Sequence, residues 1–188
     1  MLYLSMENRI KMILNEINSV LETSDYSQVE KFCDSILSAS RIILFGAGRV
    51  GFVMKSFSMR LNHLGLNSYF LNDSNIPKTG PSDLLIVGSG SGNTPSVSNI
   101  VLLAKQNKLT VICITSNPES IIAKNSSAMV VLNCPTKEST DLQRLSAQPM
   151  TTIFEQSLFL TLDGLTLVLM NKINETHYTM LERHNNLE

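Results

Sequence analysis

Two glycine-rich turns, each placed directly after a short apolar run, are the segments of this sequence best suited to binding a ligand. The run 41–45 leads into the first, 46–51, which we call the glycine turn, and the run 84–87 leads through Gly88 into the second, 89–94, the hydroxyl turn. Glycines let the backbone approach an anion closely, and a helix that starts behind the turn offers unpaired N–H groups and a positive dipole end. Two such turns predict a phosphorylated ligand.

The hydroxyl turn, Ser89-Gly90-Ser91-Gly92-Asn93-Thr94, carries the more specific signal. Its three hydroxyl groups alternate with glycines at a helix start, and hydroxyls together with backbone amides can surround a phosphate without a lysine. The sequence lacks the Gly-Lys-Ser/Thr of a P-loop. A solvated turn with an ordinary helix N-cap at Thr94 is the competing interpretation, but it leaves Ser89 and Ser91 unexplained.

The glycine turn, Gly46-x-Gly48-x-x-Gly51, matches the dinucleotide-binding fingerprint, and Asp73 lies where a ribose-binding acid would be expected. A nicotinamide enzyme is therefore one alternative, and a tight strand-to-helix turn with no ligand is another. Against the first, the chain lacks a second mononucleotide-binding half, and the hydroxyl turn would have no task. We therefore expect no nicotinamide and no other cofactor.

Composition narrows the class of protein. The chain has 188 residues and a net charge of −1, which favours one domain spanning 1–188 and gives no electrostatic footprint for nucleic acid or a membrane surface. The three cysteines lie mostly in apolar contexts and are expected to be reduced thiols of a cytoplasmic protein, and no residue pair has metal-ligand spacing. The apolar stretch 157–170 is shorter than a membrane span and predicts a helix buried in the core or against another subunit.

Alternating strand and helix patterns predict a doubly wound α/β fold with a five-stranded parallel sheet in flavodoxin-like order. N-terminal helices are expected within about 6–37, the sheet core at about 41–132 and C-terminal helices and tail at about 151–188. Ser27-x-x-Glu30 predicts a capping box for the second helix, and Thr94-Pro95 predicts a helix start. The polar segment 135–149 is long for a loop, which is typical of a functional or disordered segment. The predicted strands are 41–45, 67–71, 84–88, 110–114 and 128–132, and the later helices are 51–64, 95–107, 119–125 and 151–173.

With these motifs the chain resembles the sugar isomerase (SIS) domain family, a phosphosugar-binding module, over about residues 6–188. Further segments are similar to the 6-phospho-3-hexuloisomerase group of that family. They are Gly46-Ala47-Gly48-Arg49, the stretch 59–65, the stretch 115–120, Gln148-Pro149-Met150, Phe154-Glu155-Gln156 and the ending 183–188. The resemblance implies interconversion of D-arabino-3-hexulose 6-phosphate and D-fructose 6-phosphate through an enediol, with no redox cofactor and with sites at the interfaces of a homotetramer, or at least of a dimer.

Such a reaction needs a base, a group that moves protons between oxygens and an anchor for the phosphate. Glu155 is the expected catalytic base, because a lone acid on an apolar helix is costly unless it works or is paired; a paired structural glutamate is the alternative. His184 is the expected second catalytic residue, against a solvated tail residue. The expected substrate contacts are Gly48, Arg49, His63, Ser89, Ser91, Gly92 and Thr94. A core histidine at position 63 and a surface arginine at position 49 remain the alternatives.

Two positions depart from the family pattern. Val50 stands where the family usually has a serine, and Asn93 stands where it usually has a glutamate. The first change removes a possible hydroxyl contact, whereas both leave the hydroxyl turn intact, so the exact substrate is affected more than the fold. A non-catalytic phosphosugar-binding SIS module, as found in regulators, is the main functional alternative; it would not need Glu155 and His184.

Overall fold

A five-stranded, all-parallel sheet forms the centre of the computed structural model, which describes residues 5–136 and 146–187. The strands are β1 (Ile42–Gly46), β2 (Ser68–Phe70), β3 (Leu84–Ser89), β4 (Thr110–Thr115) and β5 (Ala128–Val131). The helices are α1 (Met6–Thr23), α2 (Val29–Ser38), α3 (Gly48–His63), α4 (Pro95–Gln106), α5 (Ile121–Lys124), α6 (Thr152–Ile173) and α7 (His177–Leu181). Flanking helices cover the sheet, so the predicted fold class is confirmed.

The strand order β2-β1-β3-β4-β5 reverses direction between β1 and β3, as the flavodoxin-like prediction requires. Right-handed crossovers then place α3 and α4 on opposite faces of the sheet. In the register of the sheet, Gly46 lies opposite Gly88. The glycine turn and the hydroxyl turn therefore leave the sheet side by side, at the reversal point where open α/β sheets bind ligands.

An ion pair at the opposite end of the same two strands fixes their register. Arg41 donates from Nε and Nη2 to the two carboxylate oxygens of Asp83, at 2.9 Å each. Asp83 is buried and also accepts the N–H of Gly80 at 2.7 Å. A bidentate arginine–carboxylate pair adds geometric specificity as well as energy, so β1 and β3 are held in register from this end of the sheet.

The long helix α6 crosses the molecule and packs against α1, α2 and α3. By length and composition alone its 22 residues could cross a membrane, but more than half of its most apolar window is buried inside the protein. Buried side chains recur along its length, which is the pattern of a core helix. They include Phe154, Leu158, Leu162, Leu165 and Leu169.

The three cysteines are buried free thiols, as the sequence predicted. Burial raises the pKa of Cys33, Cys113 and Cys134 to about 11 in each case. A thiol reacts as its thiolate, so these side chains act as small apolar groups of the core rather than as nucleophiles.

Several element boundaries differ from the sequence expectation. The capping box at Ser27 is wrong: Gln28 is the N-cap of α2 and makes no side-chain cap bond, while Asp25 Oδ1 accepts the Ser27 N–H at 2.8 Å. Asp25 is itself held by a bridge to Val131, a contact no local pattern reveals. Helix α3 begins at Gly48, three residues earlier than predicted. Most of the polar segment 135–149 lies outside the described residues, as do residues 1–4 and 188.

Candidate active site

A cavity of about 360 Å³ opens where the glycine turn, the hydroxyl turn and the start of α6 meet, and we call it the sheet-edge cavity. It brings together six residues that the sequence selected from three separate segments. They are Gly48, Arg49, Ser89, Ser91, Thr94 and Glu155. Its volume lies within the range of pockets that enclose small-molecule ligands.

Close packing between α3 and β1, and not only ligand binding, accounts for the glycines of the glycine turn. A side chain at Gly51 would place its Cβ 2.6 Å from the Gly46 carbonyl oxygen, so only glycine lets α3 approach β1 this closely. Gly48 has a φ of +59°, in the left-handed region, and open space where a Cβ would lie. The tight-turn interpretation and the ligand-binding interpretation are therefore compatible, because the same geometry leaves the N-terminus of α3 uncovered at the cavity.

Side chains of the hydroxyl turn bond mainly to one another and to the turn's own backbone. Ser89 Oγ lies 3.1 Å from Thr94 Oγ1 and accepts the Gly92 N–H at 3.1 Å, while Ser91 Oγ accepts the Asn93 N–H at 3.3 Å. Thr94 is the N-cap residue of α4, as predicted, but its hydroxyl pairs with Ser89 and makes no cap bond. The hydroxyls are thus pre-arranged around the cavity floor.

Gly92 supports the hydroxyl turn from behind and does not line the cavity. Its φ is +65°, and an added Cβ would lie 2.1 Å from Ser120 Oγ. Next to it, Asn93 Oδ1 accepts the Ile121 N–H at 3.0 Å, at the start of α5. Asn93, which departs from the family pattern, therefore links the hydroxyl turn to the start of α5. Val50 does line the cavity and is nearly buried, so that wall is apolar where a serine would offer a hydroxyl.

Glu155 lies in the first turn of α6 and is only 7% exposed. Its Oε2 accepts a hydrogen bond from Arg49 Nε, and its Oε1 accepts one from Thr151 Oγ1 at 3.3 Å. The expected lone acid is in fact paired, because Arg49 approaches it from the glycine turn. The pair lies in the cavity wall with the Arg49 side chain 63% exposed, so it is open to a ligand and not sealed in the core.

His63 and His184 lie together in a different cavity. Their ring centroids are 5.1 Å apart, and with His177 they line a space of about 500 Å³ between α3, α6 and α7, which we call the histidine cavity. His63 is buried, and Arg60 Nη1 lies 3.4 Å from its Nδ1. Within one chain, neither histidine lines the sheet-edge cavity.

The tail that carries His184 is docked on its own chain. Arg183 Nη1 donates to the His63 carbonyl oxygen at 3.0 Å, and its guanidinium pairs with Glu175 at 2.8 and 2.9 Å. The hydrogen bonds from Arg183 and from the Thr179 hydroxyl lower the pKa of Glu175 to about 2. Gly65, with a φ of +82°, leaves room for the Arg183 guanidinium. His184 therefore has a fixed neighbourhood.

Outside the two turns, the sheet-edge cavity is also lined by residues to which the sequence analysis gave no role in the site: Val97, Met150, Thr151 and Phe154. The i, i+4 spacing of Thr151 and Glu155 on one helical face is the signal that could have found the first-turn contact between them. Met150 has a φ of +52°, which is uncommon for a residue with a side chain.

The acid that a nicotinamide site would require lies in a different part of the molecule from the glycine turn. Asp73 Oδ1 accepts a hydrogen bond from Lys55 Nζ at 2.7 Å and lies in a separate cleft with Asn62 and Tyr69, away from the glycine turn. Within residues 5–136 and 146–187, no group of three or more His, Cys, Asp or Glu side chains could hold a metal ion.

Similar proteins share both the fold and the length of this chain. A family model described as the SIS domain matches residues 35–162. A relative from Bacillus subtilis named 3-hexulose-6-phosphate isomerase is 36% identical over 176 residues, which cover 94% of this chain and 95% of the relative. A crystal structure of a hypothetical protein from Methanococcus jannaschii, described as inferring a function of 3-hexulose-6-phosphate isomerase, superposes with a TM-score of 0.80 at 29% identity, covering 96% of this chain and 99% of that one.

A second kind of relative shares only part of its length. A protein from Thermotoga maritima named an uncharacterized HTH-type transcriptional regulator is 33% identical over 138 residues. The matched region is 71% of this chain but only 49% of the regulator. The same module therefore occurs both in proteins of this chain's size and within a longer regulator.

Proposed function

The chain belongs to the SIS domain family, and we propose that it is an isomerase that interconverts D-arabino-3-hexulose 6-phosphate and D-fructose 6-phosphate. One observation carries the proposal: a carboxylate and a hydroxyl-lined turn, two of the three groups that this reaction needs, face one cavity although 61–66 residues of sequence separate them. The full-length match to a relative named for this activity supports the choice of substrate.

The phosphate is bound by the hydroxyl turn. Ser89, Ser91 and Thr94 supply hydroxyl donors, and the N-terminus of α4 supplies a positive dipole end. A fixed phosphate places the sugar chain in the cavity and converts the later proton transfers into steps within one complex.

Glu155 is the base. It removes the proton from C2 of the 3-hexulose, which gives the 2,3-enediol as the C3 carbonyl oxygen gains a proton. Return of the proton to C3, with loss of the O2 proton, leaves the carbonyl at C2 and yields D-fructose 6-phosphate. Arg49 and Thr151 hold the carboxylate in one orientation, which supports its use as a positioned base. Arg49 is also close enough to the cavity to contact the sugar or the enediol oxygens.

His184 moves the proton between the two oxygens, and it does so from a second copy of the chain. The surface next to Glu155 supports this arrangement, because a shallow cleft of about 440 Å³ shares Arg49 and Glu155 with the sheet-edge cavity and is lined by exposed Phe52 and Phe159. Exposed large apolar side chains beside a site are typical of a subunit interface. We propose a homotetramer, or at least a dimer, in which each chain contributes His184, with His63 beside it, to the site of a neighbouring chain.

The direct test is to incubate the protein with D-arabino-3-hexulose 6-phosphate and to assay D-fructose 6-phosphate. Incorporation of solvent deuterium at C2 of the 3-hexulose and at C3 of the fructose should accompany turnover, because the base can exchange the proton it has abstracted with solvent before it returns a proton to either carbon of the enediol. Product formation without redox cofactor is the expected result. Tight binding with no turnover would refute the isomerase assignment.

A non-catalytic phosphosugar-binding module is the second candidate, favoured by the match to about half of a transcriptional regulator. Such a module would be stabilised thermally by sugar phosphates and would turn over none of them. Tm shifts and turnover should therefore be measured with a panel of ketose and aldose phosphates. A Tm shift with turnover indicates an isomerase, and a Tm shift without turnover indicates a binding module. NAD is included in the panel to test the nicotinamide alternative.

A further inference from the structure

Glu16, on the N-terminal helix α1, holds the segment that leads into the sheet-edge cavity. Its carboxylate accepts three hydrogen bonds from residues about 130 positions later: Ser146 Oγ at 2.7 Å, the Ala147 N–H at 2.8 Å and Gln148 Nε2 at 3.0 Å. Ser146 Oγ in turn accepts the Gln148 N–H at 3.0 Å. All three partners donate, so position 16 requires a group that only accepts, which a carboxylate is and an amide is not.

The clamped segment forms one wall of the site. Two residues after the last clamped one comes Met150, followed by Thr151, and both line the sheet-edge cavity. Thr151 Oγ1 donates to Glu155, so the segment also touches the proposed base. The segment's other end is tied to α6, where the Thr152 N–H and hydroxyl both donate to the Pro149 carbonyl oxygen at 3.2 and 2.8 Å.

Between these two anchors the backbone adopts an unfavourable conformation. Met150 has a φ of +52°, and non-glycine residues in the left-handed region persist only where the surrounding structure imposes it. Met150 itself is 79% exposed, so packing of its side chain does not impose that conformation. The anchors on either side do, and on the N-terminal side the anchor is Glu16.

We propose that Glu16 is a positioning residue for catalysis: it holds residues 146–151 so that Thr151 and the cavity wall meet Glu155 and the substrate. This role rests on the proposed isomerase function. Because the hydroxyl turn makes none of these contacts, Glu16 acts on the placement of the sugar and the base and leaves the phosphate anchor unchanged.

The test compares two variants, Glu16→Gln and the control Glu22→Gln. Glu16→Gln keeps the shape of the side chain and replaces one acceptor oxygen with a donor NH₂ group. Glu22 lies on the same helix and, among the described residues, accepts a hydrogen bond only from Asn18 in its own turn, so the control loses the same charge away from residues 146–151. For E16Q we expect kcat/KM to fall about 10- to 100-fold, because the reacting groups would be displaced from their productive positions. The inhibition constant for inorganic phosphate should stay unchanged. Equal kcat/KM in the two variants, or a matching loss of phosphate inhibition, would overturn the proposal.

A second readout does not depend on activity. The chain has no tryptophan, so Met150→Trp places a single fluorophore at an exposed position of the segment. Adding E16Q to this variant should lower the anisotropy of Trp fluorescence at fixed temperature, and adding E22Q should not. Unchanged anisotropy, or lower anisotropy with unchanged kcat/KM in the single variant, overturns the positioning role. If the wild-type protein turns over no 3-hexulose 6-phosphate, the isomerase proposal fails, while the anisotropy still decides whether Glu16 orders the segment.

Discussion

The sheet-edge cavity and the histidine cavity are built by different means. The first lies between two turns whose relative position is fixed by β-sheet register, with Gly46 opposite Gly88, and most of its polar groups belong to those turns. The second lies between helix surfaces and a tail, and exposed Leu167 and Leu181 line it together with three histidines. The first is a shaped pocket within one chain, whereas the second is an open, partly apolar surface.

The different construction of the two cavities indicates how the proposed reaction is divided between two regions of the molecule. Phosphate binding needs fixed geometry, which hydrogen-bonded strands provide through the turns that follow them. The glycine turn also supplies Arg49, which holds the proposed base Glu155 on α6. His177 and His184 are exposed on a surface whose apolar residues favour contact with another protein surface, and His63 lies buried beside His184. If His184 takes part in the reaction, a second copy of the chain is the means of bringing the two regions together. The predictions below test this division, beginning with the largest expected effect.

Loss of the base should have the largest effect. Glu155→Gln is nearly isosteric but cannot accept the proton, so we expect kcat to fall on the order of 10²–10⁴-fold with little change in substrate binding. Glu119→Gln, at an exposed turn, is the charge-matched control. Wild-type rates of solvent deuterium exchange into the substrate in the E155Q variant would show that another group is the base.

Division of the site between subunits can be tested by complementation. Glu155→Gln and His184→Ala chains should each be nearly inactive alone, and co-refolded mixtures should recover roughly a quarter of the sites, since random isologous pairing joins an intact Glu155 to an intact His184 at that frequency. The measurement is activity against mixing ratio, with mixed oligomers verified by mass. Mixed oligomers that regain no activity would mean that His184 does not act across the interface.

Weakening the phosphate anchor should affect binding more than rate. Ser91→Ala removes one hydrogen bond to a charged group, worth roughly 1.5–3 kcal/mol, so KM should rise about tenfold or more with the fold intact. Inorganic phosphate should inhibit less strongly by a similar factor. Ser96→Ala, an exposed serine in the first turn of α4, should change neither value. An unchanged KM for the S91A variant would remove Ser91 from the phosphate site.

Acid should weaken the docking of the tail by a small amount. The folded-state pKa of Glu175, lowered to about 2 by Arg183 and Thr179, lies below its ordinary value of 4.5, so the Arg183 pair stabilises fully above pH 4.5 and is lost as pH falls towards 2. Glu175→Gln should therefore lower Tm at neutral pH by about 1–2 °C and reduce the slope of stability between pH 4.5 and 2. The Tm of the Glu175→Gln variant, measured across this pH range with Glu182→Gln as the control, tests this expectation. A slope equal to that of the wild type would show that the pair does not hold the tail.

The strands and both turns were predictable from the sequence because their signals are local. Short apolar runs predicted five strands with every end within one residue of the observed position, and two of these runs lead into the glycine-rich turns. The alternation of strands with helices predicted the order of the sheet. The hydroxyls of Ser89 and Ser91 mark the cavity directly, since a turn after a buried strand can only emerge at the sheet edge. Glu155 was found by its unusual place on an apolar helix.

Contacts between distant segments were decided by the tertiary structure alone. The capping box at Ser27 fails because Asp25, bridged to Val131 more than 100 residues away, takes the Ser27 N–H. The pairing of Arg49 with Glu155, the clamp of Glu16 on residues 146–148 and the docking of Arg183 on His63 likewise join segments 106–132 residues apart. Periodicity and turn chemistry report the neighbours of a residue along the chain, whereas these bonds depend on how the helices pack over the finished sheet.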